Sequence, residues 1–372
     1  MVIPTLDRFG GAERQVMLLA RGLRSRGWRV TAIALAGSGG DAAGELADAG
    51  VDLLSLEMRK GLADPRGWLR LNRWLRRERP QILHAHLPHA AWMARWSRLA
   101  APVRVQIDTI HTSATGSAGR RLGYRLSRWL PDRVTAVGEG VREAHITTRM
   151  VAANRCTVVA NGVDTGVWRA DPDARAAKRR EIGLGGEFLW FAAGRLEPVK
   201  DYATMMRAIA QVPAGARLAI AGAGTLEREL RSLAASLGLA GRVEFLGFVP
   251  DVRAWMQAAD GYVLSSRWEG LPMGLIEAAA CALPAVATDV AGSREVIVEA
   301  ETGWLVPAAN PERLAEKMAA VMRCAAGERQ AMSERARELA VARFGLARVL
   351  DTWEALYREL LDRNPKPRRS AG

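Results

Sequence analysis

The feature that most restricts this chain is rhythm: short apolar, strand-like runs alternate with amphipathic stretches along nearly its whole length. In the first half the runs fall at 28–35, 51–56, 82–86, 103–111, 134–137 and 156–160, with helix-like stretches such as 12–26 and 67–79 between them. The second half repeats the pattern at 188–193, 218–221, 243–246, 261–265 and 284–288. Strand and helix in strict alternation imply parallel sheets covered by helices on both faces. At 372 residues the chain has room for two such domains. The polar, charged segment 164–186 interrupts the rhythm and reads as the linker between residues 1–165 and residues 166–345.

Composition excludes several other classes. With 49% hydrophobic and 25% charged residues, the chain sits among globular proteins rather than disordered or fibrous ones. No apolar run reaches the roughly 18 residues of a membrane span. Asp7 and Arg8 come too early for a secretory signal. Cys156, Cys281 and Cys324 are odd in number and lack paired metal spacing, as expected in a reducing compartment. The expected location is therefore the cytoplasm. Only Val2 and Ile3 precede Pro4 in the first strand, where five or six residues are usual. The expectation is that translation starts upstream and that an extended protein is more stable.

Charge is unevenly spread. Residues 1–165 hold 25 Lys and Arg against 14 Asp and Glu, whereas the remainder hold 28 against 26. A basic first half suggests an anionic partner there, although a coding bias toward Arg would give part of the same excess.

In parallel sheets ligands bind beyond the carboxyl ends of the strands, where helix N-termini offer free N–H groups. The residues after each strand are therefore the candidates. GGAER at 10–14 opens a helix with two glycines, a weak signal alone. Strand 188–193 runs into GRLEPVKD, where Arg195 and Lys200 can clamp a diphosphate. A solvated loop with Lys200 paired to Asp201 or Glu197 explains the segment equally well. GAGTLEREL at 222–230 is a Gly-rich strand-to-helix turn, but Glu227 stands where a dinucleotide fingerprint needs its third Gly. The most informative segment is EGLPMGLIE at 269–277. A helix beginning near Met273 turns the amides of Gly274 and Leu275 toward an anion, while Glu269 and Glu277 can accept hydrogen bonds from sugar or ribose hydroxyls. Favouring a helix start would explain Glu277 alone but not Glu269, which precedes the helix.

Together with HAHLPHA at 84–90, ANGVD at 160–164, VEFLGFVPDV at 243–252 and TGWLVP at 302–307, these segments make the chain resemble glycosyltransferase family 4. The likeness runs through nearly the whole chain in family order. It implies a GT-B fold, two Rossmann-like domains facing a cleft, and retaining sugar transfer from a nucleotide diphosphate sugar, with residues 346–372 forming a helix that packs back on the first domain and then a polar tail. It also implies roles by position. Glu269 would contact the donor sugar and Glu277 the ribose; Arg195 and Lys200 would bind the diphosphate. His111 would face the sugar near the reacting carbon, Gly11 would lie against donor phosphates or acceptor, and Phe248 and Val249 would frame the base. Ala291-Gly292 replaces a frequent Gly-Gly, a change expected to be tolerated.

Cations and helix dipoles can stabilise a leaving diphosphate without a metal, so neither metal nor cofactor is expected. The only Asp-x-Asp match, Asp171 to Asp173, falls in the supposed linker. His84, His86 and His89 raise zinc as an idea, but lining or structural roles suit them better. No nucleophile elbow, P-loop or nucleic-acid motif is present. Alternatives are another GT-B enzyme, such as a nucleotide-sugar epimerase or a synthase, or a non-catalytic nucleotide-sugar-binding subunit. The acceptor is expected to be lipid-linked or a cell-envelope precursor. In 120–130, Leu122, Leu126, Trp129 and Leu130 share one helical face and Arg121, Arg125 and Arg128 another. That pattern suits peripheral docking on an anionic membrane, and equally a helix packed on the sheet.

Overall fold

The computed structural model describes residues 1–7, 10–59, 64–101 and 103–364. The chain divides into two compact units, one of Met1–Gly162 with Leu346–Gly372 and one of Val163–Gly345.

The first unit opens with β1 (Val2–Ile3), α1 (Gly11–Ser25), β2 (Thr31–Ala34), α2 (Gly40–Asp48) and β3 (Asp52–Ser55). It continues through α3 (Pro65–Glu78), β4 (Ile82–His86), α4 (Pro88–Ala100) and β5 (Val105–Ile110). After α5 (Ala118–Ser127), β6 (Arg133–Ala136) and α6 (Glu139–Thr147) comes the last strand, β7 (Cys156–Val158). The seven strands form one parallel sheet in the order β3-β2-β1-β4-β5-β6-β7. The order reverses direction between β1 and β4, the switch point at which such sheets bind ligands.

The second unit begins with α7 (Pro172–Glu181), β8 (Phe188–Ala193), α8 (Tyr202–Gln211), β9 (Ala216–Ala221) and α9 (Glu227–Ser236). Next come β10 (Val243–Gly247), α10 (Val252–Ala258), β11 (Gly261–Leu264), α11 (Met273–Ala280) and β12 (Ala285–Thr288). It closes with α12 (Ala291–Arg294), β13 (Gly303–Val306), α13 (Pro311–Arg323) and α14 (Ala326–Phe344). Its parallel sheet has the order β10-β9-β8-β11-β12-β13, with the switch point between β8 and β11. The strands at this centre are buried on both faces, and Trp190, Phe191 and Tyr262 are wholly enclosed. Unbroken apolar strands of this kind are what two covered faces require.

Local chemistry sets the helix starts. Asp64 caps α3 ahead of Pro65, and Asn310 caps α13 ahead of Pro311, each side-chain oxygen satisfying an amide that the helix cannot. The segment expected as a linker, 164–186, lies instead wholly within the second unit. Asp171 accepts from the Ala174 amide, Pro172 takes the first helical position, and α7 follows. Three of the four cations of α7 have partners: Arg179 and Arg175 bind Asp260, and Lys178 lies over the Trp255 ring at 4.7 Å. The supposed Asp-x-Asp is thus a helix cap. Val163, short of the expected boundary at 165, is already held by the carbonyl of Phe344.

The final helix, α15 (Leu346–Arg363), belongs to the first unit. Val349, Leu350, Trp353, Leu356, Tyr357 and Leu360 recur at helical spacing and join the core of α1 and the central strands. Gly22 permits the approach, since a Cβ there would lie 2.6 Å from Leu350. The tail beyond Asn364 lies outside the described residues.

Candidate functional site

At the switch point of the second sheet, the loops after β8 and β11 are stitched together. Ser265 Oγ donates to the Lys200 carbonyl at 2.8 Å, and the Arg267 amide donates to the Val199 carbonyl at 2.8 Å. Asp201, in the left-handed region with φ +44°, caps α8 and binds Arg267 at 3.1 Å. These bonds hold Lys200 where its Nζ meets Glu269 Oε1 at 2.5 Å, and the Ser266 hydroxyl donates to the same oxygen at 2.6 Å. Lys200 is therefore paired with neither Asp201 nor Glu197; its partner is the other residue expected at the site. Arg195, on the same loop, is exposed and makes no side-chain hydrogen bond or ion pair among the described residues.

The glycine-rich turn after β9 serves the loop after β8. A Cβ on Gly222 would stand 2.0 Å from the Gly194 carbonyl oxygen, and one on Gly224 would stand 2.4 Å from that of Leu196. Only glycine lets the two backbones approach so closely.

Helix α11 starts at Met273, as the sequence suggests, with Gly274 pressed onto Tyr262: a Cβ there would lie 2.3 Å from the phenol oxygen. One expectation needs correction. The Leu275 amide donates to the Pro272 carbonyl at 3.1 Å, closing the first turn, so of the expected pair only the Gly274 amide lacks such a bond among the described residues. Leu275 instead buries its side chain in the core. Glu277 is buried one turn into the helix, its charge adding to the burial that drives the Tyr262 phenol well up. The Ala291-Gly292 departure is explained by space. A Cβ on Gly292 would lie 2.8 Å from the Gly270 carbonyl oxygen, whereas Ala291 is exposed.

Phe248 and Val249 follow β10, two strands away from β8 in the sheet. Phe248 is 77% exposed, unusual for so large an apolar ring. No hydrogen bond or ion pair joins either residue to the Lys200 and Glu269 pair among the described residues.

In the first unit, Gly11 is the first residue of α1, and Gly10 caps it without a side chain. His111 follows β5. Its Nε2 lies 3.1 Å from Nδ1 of His86, on β4 beside it. His84, two residues earlier on the same face, is held at both nitrogens, by the Tyr357 hydroxyl at 2.7 Å and the Thr109 hydroxyl at 2.6 Å. Burial pushes His111 down to about 4, and burial followed by neighbouring histidines and the chain's amino group holds His84 and His86 well below the usual range. All three rings are neutral at physiological pH. His89 is exposed. With both His84 nitrogens committed, the histidines do not offer a zinc set, and no group of three metal-ligating side chains occurs among the described residues.

Ser265, Ser266 and Tyr262 were not singled out by sequence reasoning. The pair of hydroxyls directly after a strand was the available signal, because such positions face the ligand edge of a parallel sheet.

Two family models match the chain: residues 174–339 fit the one described as Glycosyl transferases group 1, and residues 9–167 fit Glycosyltransferase Family 4. D-inositol 3-phosphate glycosyltransferase of Mycobacterium avium (strain 104) is 30% identical over 314 residues, covering 78% of this chain and 72% of its own. UDP-Gal:alpha-D-GlcNAc-diphosphoundecaprenol alpha-1,3-galactosyltransferase of Escherichia coli is 25% identical over 260 residues, 66% of this chain and 67% of its own. Among solved structures, Anabaena HepE in complex with UDP-glucose superposes with a TM-score of 0.84 at 20% identity, over 96% of this chain and 98% of its own.

Proposed function

Because the chain belongs to glycosyltransferase family 4 and has the GT-B fold, we propose that it transfers a sugar, with retention of anomeric configuration and without a metal, from a nucleotide diphosphate sugar to a lipid-linked or cell-envelope glycan precursor. The observation that carries the donor half is the Lys200–Glu269 pair at the β8/β11 switch point, flanked by Arg195 and the start of α11. Breaking the anomeric C–O bond places negative charge on the departing diphosphate. Arg195 and Lys200 meet that charge, and the α11 dipole adds to it. When Lys200 turns to phosphate, Glu269 is left to accept hydrogen bonds from sugar hydroxyls, and Ser266 keeps it oriented. Glu277 takes the ribose, and Phe248 with Val249 the base. His111 meets the transferred sugar as a neutral hydrogen-bonding group. Relatives support the class of substrates: the Escherichia coli galactosyltransferase is named for a UDP-sugar donor and a diphosphoundecaprenol acceptor.

The acceptor half rests on the first unit. Leu122 on α5 is exposed, Leu126 is 64% exposed, and Trp129 just beyond the helix is 61% exposed, so this face does not pack on the sheet. Leu130, expected on the same face, is buried past the helix end at Ser127. Trp92, Trp96 and Leu99 of α4 are exposed as well, and Trp92 touches α5 at Gly123. Apolar rings beside Arg121, Arg125 and Arg128 suit a headgroup layer. A membrane surface would also bring a lipid-linked acceptor to the enzyme.

A screen of nucleotide sugars for released nucleoside diphosphate tests the donor reading. One donor is expected to turn over in the presence of chelator, and NMR of the glycosylated product should show the donor's own anomeric configuration. No release from any donor, loss of activity on chelation, or an inverted product would each overturn the corresponding part.

A further inference from the structure

We propose that Glu269 determines which nucleotides the second unit retains: by holding Lys200 in the free protein it weakens binding of a bare nucleoside diphosphate, whereas a nucleotide sugar makes good the loss through its hydroxyls. This role rests on the donor site proposed above and adds to it a means of releasing the product.

The pair is held from both sides. Lys200 Nζ lies 2.5 Å from Glu269 Oε1, and the Ser266 hydroxyl donates to the same oxygen at 2.6 Å. Glu269 Oε2 makes no hydrogen bond among the described residues. The two side chains are only 20% and 13% exposed, so water and salt screen them less than a surface pair. Ser266 is wholly buried, and its carbonyl accepts from the Thr288 hydroxyl at 2.6 Å, so the carboxylate is anchored through backbone that β12 fixes. The main chain of Lys200 is fixed as well, since its carbonyl accepts from Ser265. The part left to move is the flexible stem of the lysine, which can swing its ammonium from carboxylate to phosphate.

Arg195 has no side-chain partner to give up among the described residues, but Lys200 has one. A diphosphate that takes Lys200 leaves a half-enclosed carboxylate with Ser266 as its remaining partner, and stripping a charged group in this way is costly. A donor sugar removes that cost, because its hydroxyls donate to Oε1 and to the open Oε2. A nucleoside diphosphate brings no sugar, so its phosphates and Glu269 compete for one ammonium. The same competition draws Lys200 back to Glu269 once the sugar has been transferred, and the diphosphate departs more readily. Discrimination here comes from a contact that the wrong ligand breaks and cannot replace.

Calorimetric titration of the full chain with the uridine, guanosine, adenosine, cytidine and thymidine diphosphates, and with nucleotide sugars of whichever base binds, tests the assignment. Glu269→Gln keeps the shape of the side chain and an acceptor for Ser266 but removes the charge. It should bind the nucleoside diphosphate about tenfold tighter than wild type, the size expected when a charge-assisted hydrogen bond no longer has to be broken. Its affinity for the nucleotide sugar should not rise, so the preference for the sugar-bearing form falls. In a Lys200→Met background, Glu269→Gln should change diphosphate affinity by less than about twofold, because no ammonium is left to release. Equal diphosphate affinity in wild type and Glu269→Gln overturns the inference and leaves the donor reading standing. A tenfold gain that persists without Lys200 does the same, since it would mean that the carboxylate repels phosphate directly. Glu269→Asp, which draws the carboxylate back by one methylene, provides the same test with a smaller gain should Glu269→Gln not fold. A panel in which no diphosphate binds wild type or variant overturns the donor reading and the inference together.

Discussion

At the switch point of the second sheet, the loops after β8 and β11 carry an exposed arginine, a lysine and a glutamate to the strand ends; at the first, the last residue of β4 and the first residue after β5 are neutral, mutually bonded histidines. The sheets share their parallel pairing and reversal of order, so topology does not account for the contrast. It supplies helix N-termini and loops at one edge, and the residues in those loops decide whether that edge handles charge or hydrogen bonds. A leaving diphosphate needs the first kind of edge. A sugar, uncharged and rich in hydroxyls, is served by the second.

The largest effect that sharpens the contrast is expected at the charged edge. Lys200→Ala and Arg195→Ala should each cost about 10²–10³ in donor turnover, as does removal of one preorganised donor to a developing anion. Glu269→Ala should fall in the same range, because it also leaves Lys200 and Ser266 without their partner. His111→Gln should cost only about tenfold, since a neutral ring stabilises no full charge. Initial rates of nucleoside diphosphate release check all four. A greater loss at His111 than at Lys200 would reverse the comparison.

Acid separates the two edges next. His111 titrates near 4 in the folded protein against about 6.5 unfolded. Between those values the unfolded chain binds a proton that the folded one refuses, so stability rises with pH across the window and is lost as pH falls from about 6.5 to 4. His111 alone contributes up to about 3 kcal/mol over that span, and His84 and His86 shift in the same direction. Urea titrations monitored at several pH values should show this slope, flattened in His111→Gln. An identical slope in that variant would contradict neutral burial of the ring.

How much of this was legible in the sequence depends on whether a residue acts locally. The strands at 82–86 and 188–193, the helix start at Met273 and the Lys200 loop all follow from local pattern, which survives folding because parallel strands buried on both faces need unbroken apolar runs. The partner of Lys200 was not legible. Asp201 and Glu197 are nearer in sequence, and the choice of Glu269 depends on β11 lying beside β8. The helix α7 was read as a linker because its face is polar, although its cap, Asp171-Pro172, was a readable signal. Its Arg175 and Arg179 are held by Asp260, which is distant in sequence. In the same way, Leu275 lost its amide to Pro272 because the first turn closed on its own carbonyl, a detail below the reach of pattern.

A smaller effect distinguishes shape from charge at the charged edge. Gly222→Ala places a Cβ 2.0 Å from the Gly194 carbonyl oxygen, at a φ of +148° that alanine rarely adopts. About 2 kcal/mol of destabilisation is expected from backbone strain and displacement of the Lys200 loop. Gly215→Ala, with nothing within 4 Å of the new Cβ, should stay within about 0.5 kcal/mol of wild type. Thermal melts compare them. Equal melting temperatures would mean that the loop yields and that its charges are not rigidly placed.

The smallest effect per residue is expected on the outer surface of the first unit, where charge is plentiful but solvated. Arg121 donates to the Gly116 carbonyl at 2.7 Å and Arg125 to that of Thr148 at 3.1 Å, so each guanidinium is oriented by the backbone and forms no ion pair among the described residues. Arg128 is exposed just past the helix. Near an anionic surface each contributes about 1 kcal/mol, screened within a Debye length. Changing one to Gln should weaken binding to anionic liposomes about fivefold, and changing all three should also flatten the salt dependence. Leu126→Ser with Trp129→Ser removes the apolar part instead, so it should reduce binding at high and low salt alike. Cosedimentation with neutral and anionic liposomes separates the two contributions. Equal, negligible binding to both at low salt would remove the membrane from the account and leave the basic half of the chain to be explained by a phosphorylated acceptor in solution.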